Sequence, residues 1–304
     1  MIVVIFILIV LSIYLLIGDY FFKLSSDKYN NKMLSIMSKN TKSSRTSSDI
    51  KEIEKYLKDK EYKDYFINSF DNLKLHSKFY KASNEKRVLV CFHGYRGSST
   101  LDFCYVIKYL LEHNTSLLLV DERCCGKSEG RYITFGSKEK YDVSSWVSFI
   151  KKKTNSPIYI YGVSLGGATV LMSLGVLKDT INGVIDDCGY ISGVSIFKDL
   201  CNRWFHIPYI PLIYFVNISC ILNGHYNLRN ADARNTLKNN NIPILFIHGD
   251  KDDFVLESNT EEAYNLTKGP KEKLLIIGAK HAESSKIDNK KYTKALEQFF
   301  SKYD

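Results

Sequence analysis

From about residue 65 onwards, apolar side chains occur in short runs that alternate with amphipathic segments. The first two runs, 65–70 and 73–81, alternate between apolar and polar residues, as half-buried antiparallel strands do. The later runs are continuously apolar, as in buried parallel strands: 87–92, 116–121, 157–162, 181–187, 243–249 and 273–278. Helical patterns lie between them, near 100–113, 138–153, 165–178, 257–268 and 288–302. This alternation predicts an α/β fold with a mostly parallel sheet and helices on both of its faces.

A different pattern occupies the first residues. Residues 1–18 include one serine and no charged side chain, and aromatic residues at 20–22 extend the apolar segment. At about 1.5 Å per residue, 1–22 is long enough to cross a hydrocarbon layer of about 30 Å, so it predicts a single transmembrane anchor. The segment has neither the basic start nor the small-residue cleavage site of a signal peptide. Because the lysines follow it, the positive-inside rule favours a folded domain on the cytoplasmic side of the membrane.

Polar residues predict a less regular segment between the anchor and the first strand. Residues 38–48 carry seven serine or threonine residues in eleven positions, which is typical of a flexible tether. Residues 49–62 predict a charged amphipathic helix that Asp49 caps. We therefore divide the chain into three parts with one insertion: an anchor at 1–22, a tether and charged helix at 23–62, and a folded domain at 63–304 interrupted at about 189–242.

Composition narrows the range of partners and cofactors. The formal net charge is +9, but the lysines are scattered and no basic block is interleaved with aromatic residues, so we expect no nucleic-acid partner. The seven cysteines are an odd number without a Cys-x-x-Cys pair, which disfavours a disulfide framework and a structural zinc site. We expect no metal and no cofactor. Free thiols in this number are typical of a reducing compartment, in agreement with the predicted orientation.

A serine between glycines follows one of the predicted buried strands. The strand at 157–162 runs into Gly-Val-Ser-Leu-Gly-Gly, which places Ser164 between Gly162 and Gly166 at the start of a helix. Glycines at these positions allow a sharp strand-to-helix turn that holds the serine exposed above the sheet. Ligands of parallel sheets bind beyond the carboxyl ends of the strands, where this serine lies. Ser164 is therefore the predicted nucleophile.

An acid and a histidine follow the last two predicted strands. His281 is the predicted general base, which takes the serine proton and returns it to the leaving group. Several carboxylates are available to orient this histidine, because one of the motifs reads Gly-Asp-Lys-Asp-Asp. We choose Asp252, with Asp253 as the second candidate and Asp187, after the strand at 181–187, as the third.

An oxyanion hole for this nucleophile needs two backbone donors. One donor comes from the residue after the nucleophile, and the other from the loop after the first parallel strand. In this chain these residues are Leu165 and Tyr95, which follows His-Gly at the end of the strand at 87–92. The predicted donor is the backbone N–H of Tyr95 and not its side chain.

These motifs resemble those of the α/β-hydrolase superfamily over about 65–304. The resemblance lies in the stretches HGYRGSS, DERCCGKSEGRYITFG, GVSLGG, HGDKDDFV and GAKHAES. They are similar to a serine-hydrolase branch related to serine aminopeptidases and bacterial membrane-associated hydrolases. The resemblance implies Ser164, Asp252 and His281 as the catalytic triad, with Tyr95 and Leu165 as oxyanion donors. One departure is Cys125, which stands where this branch usually has a histidine.

The insertion at about 189–242 bears on the substrate. It is strongly apolar and aromatic, and in this superfamily such an insertion is usually a helical cap over the active site. An apolar cap suits acyl chains or lipid esters, so we expect a membrane-anchored serine hydrolase of carboxylic esters or thioesters with a small-molecule or lipid-like acyl substrate. An aminopeptidase or an acyltransferase on the same triad stays open. A catalytically silent binding or scaffold protein also stays open, because a fold alone does not establish an activity.

Overall fold

The structure, a computed structural model, describes residues 1–40 and 46–304. Within these residues one sheet contains the strands Lys63–Asn68 (β1), Lys74–Tyr80 (β2), Arg87–Phe92 (β3), Thr115–Asp121 (β4), Ile158–Val163 (β5), Gly183–Asp187 (β6), Ile244–Gly249 (β7) and Lys271–Ile276 (β8). Their order across the sheet is β1-β2-β4-β3-β5-β6-β7-β8. The pairs β1–β2 and β2–β4 are antiparallel and the other pairs are parallel. The predicted mostly parallel sheet is confirmed.

Helices connect most of the strands. In the described part of the chain the α-helices are Ile2–Ser26 (α1), Lys32–Asn40 (α2), Ser47–Lys58 (α3), Ser99–Asp102 (α4), Ile107–Glu112 (α5), Glu139–Lys151 (α6), Leu165–Ser173 (α7), Gly193–Leu200 (α8), Leu212–Leu222 (α9), Arg234–Lys238 (α10), Glu257–Leu266 (α11), Ser284–Ile287 (α12) and Asn289–Tyr303 (α13). The helix predicted near 100–113 is divided into α4 and α5. Between them, Phe103 is buried and packs its ring against Tyr161, with 4.6 Å between ring centroids.

The sheet separates two hydrophobic layers. Successive residues of β3 point to opposite faces, so Val88 and Val90 belong to one layer and Leu89 and Cys91 to the other. Helices α6 and α7 cover the first face, where Trp146 is fully buried. Helices α5 and α13 cover the second. Each fully buried large apolar side chain contributes roughly 1.5–3 kcal/mol, and burial on both faces explains why the parallel strands are continuously apolar in sequence.

The segment before β1 differs in two details from its prediction. Helix α3 begins at Ser47 with Thr46 as its N-cap, so the prediction of Asp49 as the cap is wrong. The Asp49 N–H donates to Thr46 Oγ1 at 3.3 Å, and the Thr46 N–H donates to the Asp49 carboxylate at 2.8 Å. This reciprocal pair is a capping box, in which an acid at the third helical position reaches back to the cap. The predicted tether at 38–48 includes 41–45, which lies outside the described residues, and its first residues belong to α2.

Helix α1 continues past residue 22, where the anchor was predicted to end. It is long and apolar enough to cross a membrane by length and composition, and most of its apolar segment is exposed. The last turns of α1 are buried instead, since Phe22 and Leu24 are 0% and 1% exposed. The Ser26 hydroxyl lies 2.8 Å from the Tyr226 hydroxyl, within hydrogen-bond distance. Residues 23–26 therefore belong to a packed helix rather than a tether, because apolar contacts with the folded domain continue beyond the membrane-length segment.

The segment predicted as a cap, 189–242, contains the helices α8, α9 and α10. We call this segment the cap. It packs against α1 in a third hydrophobic cluster that includes Phe22, Leu212, Val216 and Tyr226. The end of α1 and the cap thus share one apolar core, which lies beside the carboxyl ends of the parallel strands.

Candidate active site

The turn from β5 to α7 holds Ser164 in a strained conformation. Its φ is +56° and its ψ is −115°, a backbone geometry that costs a non-glycine residue roughly 1–3 kcal/mol. The flanking glycines make this turn fit. A Cβ at Gly162 would lie 2.2 Å from the carbonyl of Gly166, and a Cβ at Gly166 would lie 2.1 Å from the Phe92 carbonyl oxygen. The sequence pattern thus forms the sharp strand-to-helix turn that it predicted around Ser164.

The close packing of Gly162 against the Gly166 backbone predicts that a larger residue at position 162 destabilises the protein. We expect Gly162→Ala to lower the free energy of unfolding by about 3 kcal/mol or more, because its Cβ would collide with backbone that cannot rotate away. Urea unfolding of the purified protein in detergent measures the change. Gly175→Ala is the matched control, since the atom nearest to its added Cβ belongs to the side chain of Thr236. Equal losses in the two variants would contradict the steric argument.

The structure brings Ser164, His281 and Asp252 together in one hydrogen-bonded chain. His281 follows β8, and its Nε2 lies 2.8 Å from Ser164 Oγ. Its Nδ1 lies 2.7 Å from Asp252 Oδ2. With a proton on Nδ1, Nε2 is free to accept the serine proton, which is the arrangement of a general base.

Asp252 is held as an anion behind the histidine. Its Oδ1 accepts hydrogen bonds from the N–H groups of Phe254 and Val255, both at 2.9 Å. Burial acts to raise the pKa of Asp252, but the neighbouring His281 and His248 outweigh it and hold this pKa well below its usual range. The carboxylate is therefore available to orient His281 and to stabilise its protonated form.

The other two candidate acids lie elsewhere. Asp253 is exposed on the surface. Asp187 is buried at the end of β6, where its Oδ2 accepts a hydrogen bond from the Tyr292 hydroxyl at 2.8 Å. Burial raises the pKa of Asp187 to about 6. Of the three, the structure pairs Asp252 with the histidine.

Asp186 precedes Asp187 in β6, and its burial predicts how the stability of the protein depends on pH. Its Oδ1 accepts from the Gly189 N–H at 3.0 Å, and burial raises its pKa to about 7. The folded state therefore binds a proton that the unfolded chain, with a pKa near 3.9, has already released, so this residue makes stability fall as pH rises from about 4 to about 7. We expect Asp186→Asn to reduce that fall by about 3 kcal/mol. Urea unfolding in detergent at both pH values tests it, and an unchanged pH dependence would contradict it.

The predicted oxyanion donors lie beside the nucleophile. Tyr95 and Leu165 line the same pocket as Ser164. Within the described ranges, neither of their backbone N–H groups donates to a protein acceptor, so both remain available to a substrate oxygen. His93 supports this loop, because its Nε2 accepts from the Glu122 N–H at 3.1 Å. Tyr95 and Leu165 therefore remain the predicted oxyanion donors.

The loop that contains Cys125 is closed by backbone hydrogen bonds. The Cys125 N–H donates to the Glu122 carbonyl at 3.0 Å, and the Cys124 N–H donates to the Glu129 carbonyl at 2.9 Å. These bonds need no histidine side chain. Burial raises the pKa of both thiols, that of Cys125 to about 12, so they stay protonated at neutral pH and are poorly suited to redox chemistry.

One group of potential metal ligands borders the site. The ligand atoms of Cys188, Asp252 and His281 lie within 4.8 Å of one another. Asp252 and His281 are already paired with each other, and burial raises the pKa of the Cys188 thiol well above its usual value. A cation would have to replace the proton between the histidine and the acid, so this donor set fits a triad better than a resident metal.

Ser164 opens onto an apolar pocket whose walls come from the cap and from the N-terminal helices. The cap contributes Tyr190, Gly193, Ile196, Phe197, Leu200, Val216, Cys220, Tyr226 and Leu228. Ser25 of α1 and Met33 and Met37 of α2 line it as well. The Tyr95 hydroxyl donates to the Ser25 carbonyl at 2.6 Å. Sequence reasoning missed these N-terminal residues, since nothing in their local pattern indicates where the helices pack.

Comparison with known proteins finds similarity to a hydrolase family. Residues 83–191 match the family model of serine aminopeptidase, S33. The chain is 28% identical over 218 residues to the uncharacterized protein YqkD of Bacillus subtilis, covering 70% of each chain. It is 25% identical over 207 residues to the uncharacterized protein YfhR of Escherichia coli K12, covering 67% of this chain and 66% of that one.

Solved esterases share the fold. The esterase Pf2001 of Pyrococcus furiosus superimposes with a TM-score of 0.65 at 23% identity, covering 86% of this chain and 96% of that one. Est1E of Butyrivibrio proteoclasticus with bound ferulic acid superimposes with a TM-score of 0.62 at 19% identity, covering 79% and 98%. The predicted α/β-hydrolase fold is confirmed.

Proposed function

This chain is a member of the α/β-hydrolase superfamily, and we propose that it is a membrane-anchored serine hydrolase that cleaves carboxylic esters or thioesters. The observation that carries the proposal is the hydrogen-bonded chain from Ser164 through His281 to Asp252, beside an apolar pocket. The nucleophile and the orienting acid both lie within hydrogen-bond distance of the base before any substrate binds, as acyl transfer requires.

The first half-reaction forms an acyl-enzyme. Ser164 Oγ attacks the carbonyl carbon of the substrate while His281 Nε2 accepts the hydroxyl proton. The carbonyl oxygen becomes negatively charged and accepts hydrogen bonds from the N–H groups of Tyr95 and Leu165. When the tetrahedral intermediate collapses, the bond to the alcohol or thiol breaks, and His281 passes its proton to that leaving group. Asp252 holds the imidazole in the required tautomer throughout.

The second half-reaction releases the acid. A water molecule attacks the acyl carbonyl while His281 accepts one of its protons. The resulting intermediate collapses by breaking the bond to Ser164 Oγ, which takes the proton back from His281. The products are the carboxylic acid and the free serine. An acyltransferase would replace the water with another hydroxyl or amine and use the same residues.

The lining of the pocket supports a hydrophobic acyl group as the substrate. None of the described residues that line it carries a carboxylate. An aminopeptidase needs an acid to bind the free amine of its substrate, and the two acids of the cap, Asp199 and Asp232, have other contacts. Asp199 accepts from Asn259 at 3.5 Å, and Asp232 forms an ion pair with Arg234 at 2.7 Å. The pocket therefore favours ester or thioester cleavage over aminopeptidase activity.

The experiment that tests this function uses the full chain in detergent micelles. We expect a fluorophosphonate probe to form an adduct on Ser164, located by peptide mass spectrometry, and nitrophenyl esters to be hydrolysed faster than aminoacyl amides. Faster cleavage of the amides would move the function to an aminopeptidase. A folded protein that neither reacts with the probe nor turns over any substrate would support the scaffold alternative.

Val216 tests the assignment of the acyl pocket. It is buried on the pocket side of α9, so Val216→Trp fills space that a long acyl chain would occupy. We expect kcat/KM for palmitoyl esters to fall by about tenfold or more, about 1.4 kcal/mol, while acetyl esters are cleaved nearly as before. Ile218→Trp, on the exposed side of the same helix, is the matched control. Equal losses for both ester lengths would argue against this pocket as the acyl site.

Retention of α1 as an anchor is the second part of the proposal. Removing the helix would uncover Phe22's apolar partners in the cap and delete Ser25 from the pocket wall. Both consequences support an uncleaved helix. The lysines after the anchor favour an orientation with the hydrolase domain on the cytoplasmic side. An intact mass of the protein purified from membranes tests it, and a mass lacking the apolar segment would contradict it.

A further inference from the structure

Helix α9 of the cap has apolar side chains on two opposite faces. Its inward face is buried and includes Val216 and Cys220, which line the pocket beside Ser164. Its outward face consists of exposed residues, with exposed fractions of 49%, 38%, 45% and 67% for Tyr214, Ile218, Ile221 and Leu222. We call these four residues the outer face of α9. Contiguous exposed apolar side chains of this kind mark a surface that a partner covers.

Helix α1 packs closely along the same helix. The ring of Tyr14 stacks on Phe215, with 5.1 Å between ring centroids. A Cβ at Gly18 would lie 2.6 Å from the backbone of Phe215, so a glycine is required at this crossing. Further along, Asp19 accepts a hydrogen bond from the Asn223 side chain at 3.0 Å. The part of α1 from Tyr14 onwards is therefore in contact with α9.

The length of α1 sets how far α9 lies from the membrane. The uncharged, mostly apolar part of α1, residues 2–18, measures about 26 Å at about 1.5 Å per residue. The hydrocarbon layer is about 30 Å thick, so an α1 that spans it uses nearly all of this part, residues 14–18 included. Those residues lie against α9. An α1 that spans the membrane therefore carries the adjoining part of α9 into the bilayer.

Charged groups occur where such an insertion needs them. The first charged side chains of α1 are Asp19 and Lys23, which pair at 2.6 Å near the end of the contact with α9. Arg229 is exposed, and its guanidinium lies 5.1 Å from the ring centroid of Tyr214 at the border of the outer face. Asp19 and Lys23 thus mark the level at which the hydrocarbon layer ends, and Arg229 supplies a cation beside the outer face for lipid phosphate.

We propose that the outer face of α9 is inserted into the lipid bilayer beside α1, with lipid acyl chains covering it. The proposal rests on the anchor part of the proposed function and goes beyond it, because an anchor alone leaves the cap in water. One helix then has lipid on one face and the acyl pocket on the other. A hydrophobic ester dissolved in the bilayer would have only this helix between it and Ser164.

Tryptophan fluorescence in vesicles of acyl-chain-brominated phosphatidylcholine tests the insertion with the full chain. Ile218→Trp and Leu222→Trp each place a reporter on the outer face, at exposed positions where the larger ring fits. The native Trp146 and Trp204 contribute a background that the parent protein measures. His113→Trp is the matched control, at an exposed position next to the amino end of β4 and away from the pocket edge of the sheet.

We expect the added emission of both outer-face variants to be blue-shifted and quenched at least twofold by the brominated lipid, and that of the control to be unaffected. Emission that stays water-like and unquenched at both positions would overturn the proposal. So would blue-shifted emission that the brominated lipid does not quench, since it would mean that a second copy of the protein covers the face. Fluorophosphonate labelling of Ser164 in the same vesicles keeps this result separate from the test of hydrolysis, because the adduct reports the reactivity of Ser164 and the fluorescence reports what covers the outer face.

Discussion

Replacing Ser164 with alanine is expected to lower ester hydrolysis by about 10⁵-fold while leaving the protein folded, because the substitution removes the attacking oxygen and adds no bulk. The remaining rate would come from the oxyanion donors and from substrate binding, which act without a nucleophile. The change is measured as kcat on a long-chain nitrophenyl ester with the full chain in detergent. Far-UV circular dichroism and urea unfolding confirm that the variant is folded.

Ser173→Ala is the matched control for this measurement. Ser173 is a buried serine at the other end of α7, and its hydroxyl donates to the Val170 carbonyl at 2.7 Å. We expect its loss to affect stability by about 1 kcal/mol and kcat very little. Retention of more than a few per cent of wild-type activity in Ser164→Ala, with a probe adduct at another residue, would refute Ser164 as the nucleophile.

Replacing Asp252 with asparagine has the second largest expected effect, a loss of about 10⁴-fold in kcat. The amide keeps the size of the side chain but does not hold His281 with its proton on Nδ1, so Nε2 is no longer free to accept the serine proton. The amide also loses the negative charge that stabilises the protonated histidine. Binding of substrate does not need this carboxylate, so we expect KM to change little.

Asp253 and Asp187, the other two acids that the sequence offered as partners of His281, provide the controls. Asp253→Asn changes an exposed side chain, and Asp187→Asn changes one that is bonded to Tyr292 rather than to His281. We expect both to keep kcat within about tenfold of the parent, an effect of about 1.4 kcal/mol. A larger loss in Asp187→Asn than in Asp252→Asn would show that His281 is oriented from β6 during the reaction, and the assignment of the acid would have to move.

The sheet and the elbow could be predicted because their physical causes are local. A run such as 87–92 is apolar at every position since both faces of the sheet are covered, and that property is visible in one short stretch. The turn at Ser164 needs glycine at Gly162 and Gly166 because other backbone lies about 2 Å from where their Cβ atoms would be. Motifs of this kind carry their geometry in a few consecutive residues.

The sequence ranked Asp252 first among the three acids, but no local property excluded the other two. Asp252 and Asp253 are adjacent in sequence, and only the fold turns one carboxylate inward to His281 and the other to solvent. Asp187 lies at the end of a neighbouring parallel strand, so the local pattern kept it as a third candidate. Its bond to Tyr292, a residue far away in the chain, appears only when α13 packs on the sheet.

The chain's own sequence determined the alternation of strands and helices, the elbow around Ser164, the order of serine, acid and histidine, and an apolar N-terminal helix of membrane length. Tertiary structure alone decided that α1 continues to Ser26, that Met33 and Met37 line the pocket, and that α9 separates this pocket from an exposed apolar face. The division has one physical reason. Periodicity and turn chemistry act between residues a few positions apart, whereas packing of α1 on the cap joins residues about 200 positions apart, whose contact no local pattern encodes.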